Sequence, residues 1–323
     1  MKPSHIDLAV LVIFFARPET VSEVFESIRK ARPSKLLLWQ DGPRNDKDMP
    51  GILACRDVFN SIDWECEVYR NYHNENMGCD PSTFRAQKWA FSLVDKCVVL
   101  EDDMVPSQSF YPYCKELLDK YEFDERVNHI CGVNHLEKAD FCPNDYLFSF
   151  YGSGAWASWK RVADGWDETY SFLDKNYYMK NLETKMPGLF KVAYDIALQR
   201  KSTGFEWWET IIGFDCYLNN RLSIIPRVNL VTNIGVTEGA THGASLKLMN
   251  KRLRSLFNMK SYELGFPLKH PEYIVPDYQY MNELSKINCV GRPWLKRFRK
   301  IEYLLRCIIY GEIFNVFKRK IKR

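Results

Sequence analysis

Val98-Val99-Leu100-Glu101-Asp102-Asp103 sets three consecutive carboxylates behind a short apolar, β-branched run. Like charges held this close repel one another unless a cation is shared among them. Oxygen-only ligands select hard divalent ions, so the expected cofactor is Mn2+ or Mg2+. Such an ion would join the cluster to the phosphates of a nucleotide-diphosphate donor and stabilise the departing nucleoside diphosphate. A solvated acidic turn has the same composition; position separates the two. The cluster ends a strand pattern, and Pro106 with Ser109-Phe110 then starts a helix.

Other residues offer chemistry of a different kind. Glu209 follows Trp207-Trp208, and apolar neighbours of that sort raise a carboxyl toward the range of a general base. It is the first choice for deprotonating an attacking hydroxyl, with Asp167 as the second catalytic candidate and Asp215 as a further alternative. The plainer account of Glu209 is an acid in the first turn of a helix, favoured by the helix dipole. Trp156 and Trp159 either stack on a sugar ring or fill the core beneath the site. His242 lies in the small, polar stretch Gly239-Ala240-Thr241-His242-Gly243, as a ligand or as a solvated side chain. Gly78 serves a tight turn.

These groups need a scaffold. Asp7 to Phe15 is a continuous apolar run, the pattern of a strand buried on both faces. Arg17-Pro18-Glu19-Thr20 opens a helix with Val21, Val24, Phe25 and Ile28 on one stripe. Strands are expected at 35–39, 66–70 and 97–100, with a turn at Gln40-Asp41-Gly42-Pro43 and a helix at 82–93. This alternation predicts an α/β fold with a mostly parallel sheet, flanked by helices, holding its ligand at the carboxyl ends of the strands. Further on, helices are expected at 111–121, 173–199 (interrupted at Pro187-Gly188) and 210–219, and strands at 129–133, 222–226 and 228–231. The stretch 250–270 is polar and Lys-rich, which suggests a mobile linker.

With 323 residues, 46% hydrophobic and 27% charged, the chain has globular composition. The segment from Arg292 onward carries eleven bases against two acids, a net +9, within a chain of net charge +4, so the remainder is acidic at −5. In that tail Leu295, Phe298, Ile301, Leu304, Leu305, Ile308 and Ile309 recur at helical spacing. A basic amphipathic helix of this kind is expected to lie on an anionic membrane surface. No nucleic-acid partner is expected, because no nucleic-acid motif accompanies the charge. The ten cysteines form no C-x-x-C pair and no zinc spacing, and no run reaches a spanning helix or a signal peptide, so a cytoplasmic protein, peripheral at the inner face of the cell membrane, is expected.

The ordered motifs over roughly residues 6 to 245 resemble those of GT-A nucleotide-diphospho-sugar glycosyltransferases, in a bacterial group related to the N-acetylglucosaminyltransferase I-like family. They are Phe15-Ala16-Arg17-Pro18-Glu19, Asp41-Gly42-Pro43-Arg44, Asn76-Met77-Gly78-Cys79, Leu100-Glu101-Asp102-Asp103, Ala155-Trp156-Ala157-Ser158-Trp159-Lys160-Arg161, and Leu222 to Pro226 with Asn229 to Val231 and Asn233 to Gly235. The resemblance implies a GT-A domain at 1–245, followed by a linker and basic helical segment at 246–323. It implies that Arg17 and Asp41 contact the base or ribose, that Asp102 lies near the ribose or donor sugar, and that Asp103 binds the metal, with His242 completing that site. Gly78, Arg85, Glu101 and Trp156 are counted with the donor site on the same basis. The chain departs from the family at Gly154-Ala155-Trp156, where Trp-Gly-Trp is usual, and at Trp208-Glu209, where the family has Trp-Asp. The implied activity is metal-dependent, inverting transfer of a hexose or N-acetylhexosamine to a hydroxyl of a glycan or lipid-linked acceptor, in bacterial surface polysaccharide assembly. Two alternatives stand beside it: a sugar nucleotidyltransferase, disfavoured because Phe14 to Pro18 holds no glycine, and a non-catalytic glycan-binding or scaffold protein of the same fold.

Overall fold

The computed structural model describes residues 1–150, 152, 154–185, 190–236, 248–288 and 292–312. Its centre is an eight-stranded sheet built from β1 (Ile6–Phe14), β2 (Pro33–Gln40), β3 (Glu67–Tyr72), β4 (Lys96–Glu101), β6 (Val127–Cys131), β7 (Tyr146–Ser149), β8 (Trp156–Trp159) and β9 (Leu222–Pro226). A two-stranded ribbon pairs β5 (Met104–Pro106) with β10 (Val231–Asn233). The order across the large sheet is β3-β2-β1-β4-β8-β6-β9-β7. Its first four strands run parallel, with the direction of winding reversing between β1 and β4. That is the strand order of one half of a doubly wound, Rossmann-like sheet, and the reversal opens a crevice beyond the carboxyl ends of the strands. β8 enters antiparallel between β4 and β6, so the sheet is mixed but mostly parallel, as expected.

Helices cover both faces. Alternation along a strand sends Phe14 of β1 and Trp39 of β2, out of register by one, to opposite sides. Phe14 meets Phe59 of α2 (Met49–Asn60), which meets Phe25 of α1 (Pro18–Ala31). Trp39 meets Trp89 of α3 (Cys79–Leu93) and donates to Ser82 at 2.9 Å. With apolar layers on both sides, β1 carries no polar alternation and is buried from Leu8 to Phe14. α4 (Phe110–Lys120) packs against β1, β6 and β8, and its Tyr111 hydroxyl lies 3.0 Å from that of Ser27 in α1.

The second half supplies α5 (Lys160–Ala163), α6 (Asn176–Lys185), α7 (Phe190–Thr203) and α8 (Trp208–Leu218). Beyond it come α9 (Lys251–Arg254), α10 (Tyr278–Asn288) and α11 (Pro293–Ile309). The expected linker at 250–270 is instead seated on the body. Asn258 N–H donates to Asn233 O and Tyr262 N–H to Asn229 O, each at 2.8 Å, while Leu268 is buried in the main core. Backbone hydrogen bonds and the buried Leu268 hold it there, while Lys251, Lys260 and Lys269 stay exposed. The expected break at Pro187-Gly188 lies outside the described residues.

Candidate functional site

A cleft of about 450 Å³ opens at the carboxyl ends of β1, β2 and β4. Three helix N-termini meet there: Arg17 and Glu19 at α1, Asp48 and Gly51 at α2, and Cys79, Ser82 and Thr83 at α3 all line it. Backbone N–H groups left unpaired at helix starts, together with the helix dipoles, make such a convergence favourable for an anion. Lys47 adds positive charge to one wall, where the Arg44 guanidinium, 5.0 Å over the Phe15 ring, is paired through Nε and Nη2 with Asp48 at 2.9 and 2.7 Å.

Glu101 and Asp102 form part of the cleft lining. β4 ends at Glu101, and the turn into β5 places Asp102 and Asp103 beside the start of α1. One guanidinium bridges them. Arg17 donates through Nη2 to Asp102 Oδ1 and, at 3.0 Å, to Asp103 Oδ2, and through Nε to Asp102 Oδ2 at 3.4 Å. Phe15 N–H also reaches Asp102 Oδ2, at 3.4 Å. Despite the opposing effect of burial, the two carboxylates hold Arg17 above its ordinary pKa, so it stays charged. Part of the cation that the acidic run requires is therefore supplied by the chain. Arg17, assigned to the base or ribose by resemblance, is committed to the carboxylates.

One guanidinium does not balance the site. Burial, then the charges of Asp103, Glu209 and Asp102, push the Glu101 carboxyl up to about 8. Glu101 is thus protonated at neutral pH, which leaves two aspartates against one arginine. Glu209, in the first turn of α8, is not among the residues lining the cleft, but its charge acts on Glu101 at the end of β4. The two glutamates, 108 positions apart in sequence, are electrostatic neighbours.

Asp103 stands against Gly235, just past β10. A Cβ built on Gly235 would fall 2.1 Å from Asp103 Oδ2, so the close approach requires glycine. Among the described residues, Asp103 Oδ1 takes no hydrogen bond, and no group of three or more His, Cys, Asp and Glu side chains forms a metal cage. That arrangement fits a Mg2+ or Mn2+ ion held by one or two carboxylates and completed by ligand phosphates and water, the usual mode for these ions at diphosphates. His242 lies outside the described residues.

The remaining candidates occupy other positions. Asp41 lines the cleft, but its oxygens are taken by the N–H groups of Gly42 (2.9 Å), Met77 (2.9 Å) and Gly78 (3.1 Å) and by Asn76 Nδ2 (3.0 Å). It holds the β2 turn to the turn that opens α3. Gly78 caps that helix at φ +87°, a conformation glycine adopts freely, so the tight turn is present. Trp156 is 3% exposed, enclosed by Phe91, His129, Trp166 and Trp208, the last stacked at 6.2 Å. It packs beneath the site and offers no open face to a sugar. Trp159 is buried too, and donates to Leu118 O.

Asp167 does not suit the base role. Burial alone would raise its pKa, yet hydrogen bonds from the hydroxyls and N–H groups of Thr169 and Ser171 hold it below the ordinary value. Both its oxygens are occupied in tying this turn. Asp215 is buried in bonds with Asn128, Asn219 and Arg221. Arg85 is exposed, paired with Glu206 at 3.1 Å, and is not among the residues lining the cleft. Sequence reasoning gave no role to Arg44, Lys47, Ser82 or Thr83. The available signal was basic residues just after a Gly-Pro turn at a strand end.

No protein-family model matches the chain. No curated protein sequence matches it either. Among solved structures, mouse xyloside xylosyltransferase 1 in apo form aligns at 10% identity, covering 65% of this chain and 81% of that one, with TM-score 0.32. A 4-diphosphocytidyl-2C-methyl-D-erythritol synthase from Anaerococcus prevotii aligns at 13% identity over 53% and 76%, with TM-score 0.29. HddC from Yersinia pseudotuberculosis, complexed with GMP-PN, aligns at 10% over 48% and 78%, also with TM-score 0.29. Scores this low establish neither a shared family nor a shared activity.

Proposed function

We propose that this chain is a glycosyltransferase that takes a sugar from a nucleotide-diphosphate donor and passes it to a hydroxyl of a glycan or lipid-linked acceptor. The observation that carries the reading is a cleft where three helix N-termini converge, lined by Glu101 and Asp102, with Asp103 tied to Asp102 through Arg17. A nucleoside diphosphate is the chemistry that uses both: its anionic oxygens suit the helix starts and Lys47, and its remaining charge suits a divalent ion at Asp103. That ion, when bound, stabilises the negative charge of the leaving diphosphate.

The other steps belong to the chain's own residues. Arg17 fixes the carboxylates of Asp102 and Asp103 in place. Asp41 and Gly78 set the wall that receives the nucleoside. Glu209 accepts the proton of the acceptor hydroxyl as its oxygen attacks the anomeric carbon and the bond from that carbon to the phosphate oxygen breaks. Glu101, protonated beside it, is a hydrogen-bond donor at the same place. A single displacement of this kind inverts the anomeric centre. We assign the acceptor to bacterial surface polysaccharide assembly on the resemblance of the ordered motifs.

The test is a thermal-shift screen of nucleotide sugars with and without Mn2+, followed by product analysis. One donor should stabilise the chain in a metal-dependent manner. Incubation with acceptor, or slow hydrolysis without it, should release a nucleoside diphosphate. Release of pyrophosphate from a nucleoside triphosphate and sugar phosphate would instead establish a nucleotidyltransferase. Binding without any turnover would establish a scaffold.

A further inference from the structure

α11 is seated on the body by one face and bare on the other. Trp294, Phe298, Ile301, Leu305 and Ile308 are 65, 63, 55, 54 and 60% exposed. They follow in steps of four and three, which places them in a single stripe along a helix of 3.6 residues per turn. On the far side Cys307 is buried and Arg299 donates to the Ile287 carbonyl, and on one flank Glu302 accepts the Lys251 N–H at 2.9 Å. A surface helix normally turns its apolar stripe inward; this one is held by its other side. A contiguous exposed apolar strip rimmed by polar residues marks an interaction surface.

Charge decides among occupants. Arg297 borders the stripe and Lys300 follows on the same flank, both exposed, while the only acid within α11, Glu302, is on the other flank and is paired with Arg306. A second copy of the helix would set these cations against their own equivalents with no exposed acid to answer them. Among the described residues no helix is long and apolar enough to cross a membrane. Seventeen residues give roughly 25 Å of helix lying flat. We propose that α11 lies in the interfacial plane of an anionic lipid bilayer, with the five-residue stripe at the acyl-chain boundary and Arg297 and Lys300 reaching headgroup phosphates from its flank. The inference does not depend on the donor reading.

The full chain should sediment with phosphatidylcholine vesicles containing about 30% phosphatidylglycerol, and far less with pure phosphatidylcholine, at physiological ionic strength. The variant Phe298→Ser/Ile301→Ser/Leu305→Ser should lose at least about tenfold in partitioning. Arg297→Glu/Lys300→Glu should lose the preference for the anionic vesicles. Both variants keep the bases after Glu312, so the differences isolate α11, and circular dichroism with the melting temperature should confirm intact folding. Equal partitioning of the stripe variant and the unaltered chain, or no binding of the unaltered chain to anionic vesicles, overturns the proposal. So does a dimer that the stripe variant abolishes, which would assign the face to a second copy.

Discussion

The turns after β2 and after β4 both carry acids into the same cleft, and they treat them in opposite ways. Asp41 receives four hydrogen bonds, three from backbone N–H groups, and its charge is spent on joining two loops. Asp102 and Asp103 share one guanidinium, and Glu101 beside them is held toward its protonated form by burial and their charge. A saturated carboxylate is part of the scaffold. An under-served cluster keeps charge in reserve for something that arrives. The number of donors given to an acid, more than its residue type or its place at a strand end, separates the two uses.

That contrast is sharpest in activity. Asp103→Ala should lower transfer at least about hundredfold and remove the Mn2+-dependent part of donor stabilisation, as thermal shifts and initial rates will show. Arg17→Met should cost about 3 kcal/mol of stability in EDTA, because two partly buried carboxylates lose their counter-charge. Mn2+ should restore more of its melting temperature than it adds to the unaltered chain. Asp41→Ala should cost about 2 kcal/mol through orphaned N–H groups, and here Mn2+ should restore nothing. If metal rescued both variants equally, the distinction between the two turns would fail.

Glu101→Gln tests the held proton. With its pKa raised from 4.5 in the unfolded chain to about 8, the Glu101 contribution to stability is complete below the lower value and lost as pH rises through the higher one. In EDTA, the variant should therefore melt like the unaltered chain near pH 4 and above it by a few degrees near about pH 9. The smallest effect belongs to Asp167→Asn, whose transfer rate should stay within about twofold, since its carboxylate ties a turn and takes no proton in the reaction.

The sheet was legible because burial on both faces leaves its mark on sequence: 7–15, 35–39 and 97–100 are apolar runs, found as β1, β2 and β4. The acidic cluster was legible by its place behind such a run. β8 was hidden, since Trp156-Ala-Ser-Trp159 looks the same whether it stacks on a sugar or fills a core, and only the enclosing rings decide. Arg17 as counter-ion was hidden for a different reason. It lies 85 positions from Asp102, and no local pattern reports a pairing across a parallel sheet. The saturation of Asp41 and Asp167 was equally invisible, because hydrogen-bond donors are counted in space. α2 was missed although most of it is apolar, and the core takes only three of its residues, Ile52, Cys55 and Phe59, as fully buried.

Gly235 and Asp103 are in contact so close that position 235 cannot gain a side chain without moving the carboxylate. A methyl group at 235 would displace the carboxylate, while loss of the acid would free the glycine to become almost anything. Divergent copies of this chain should therefore fall into two populations, those that retain both and those that have relaxed at both. A glycine 132 positions downstream thus serves as an inexpensive marker for whether the acid is still in use.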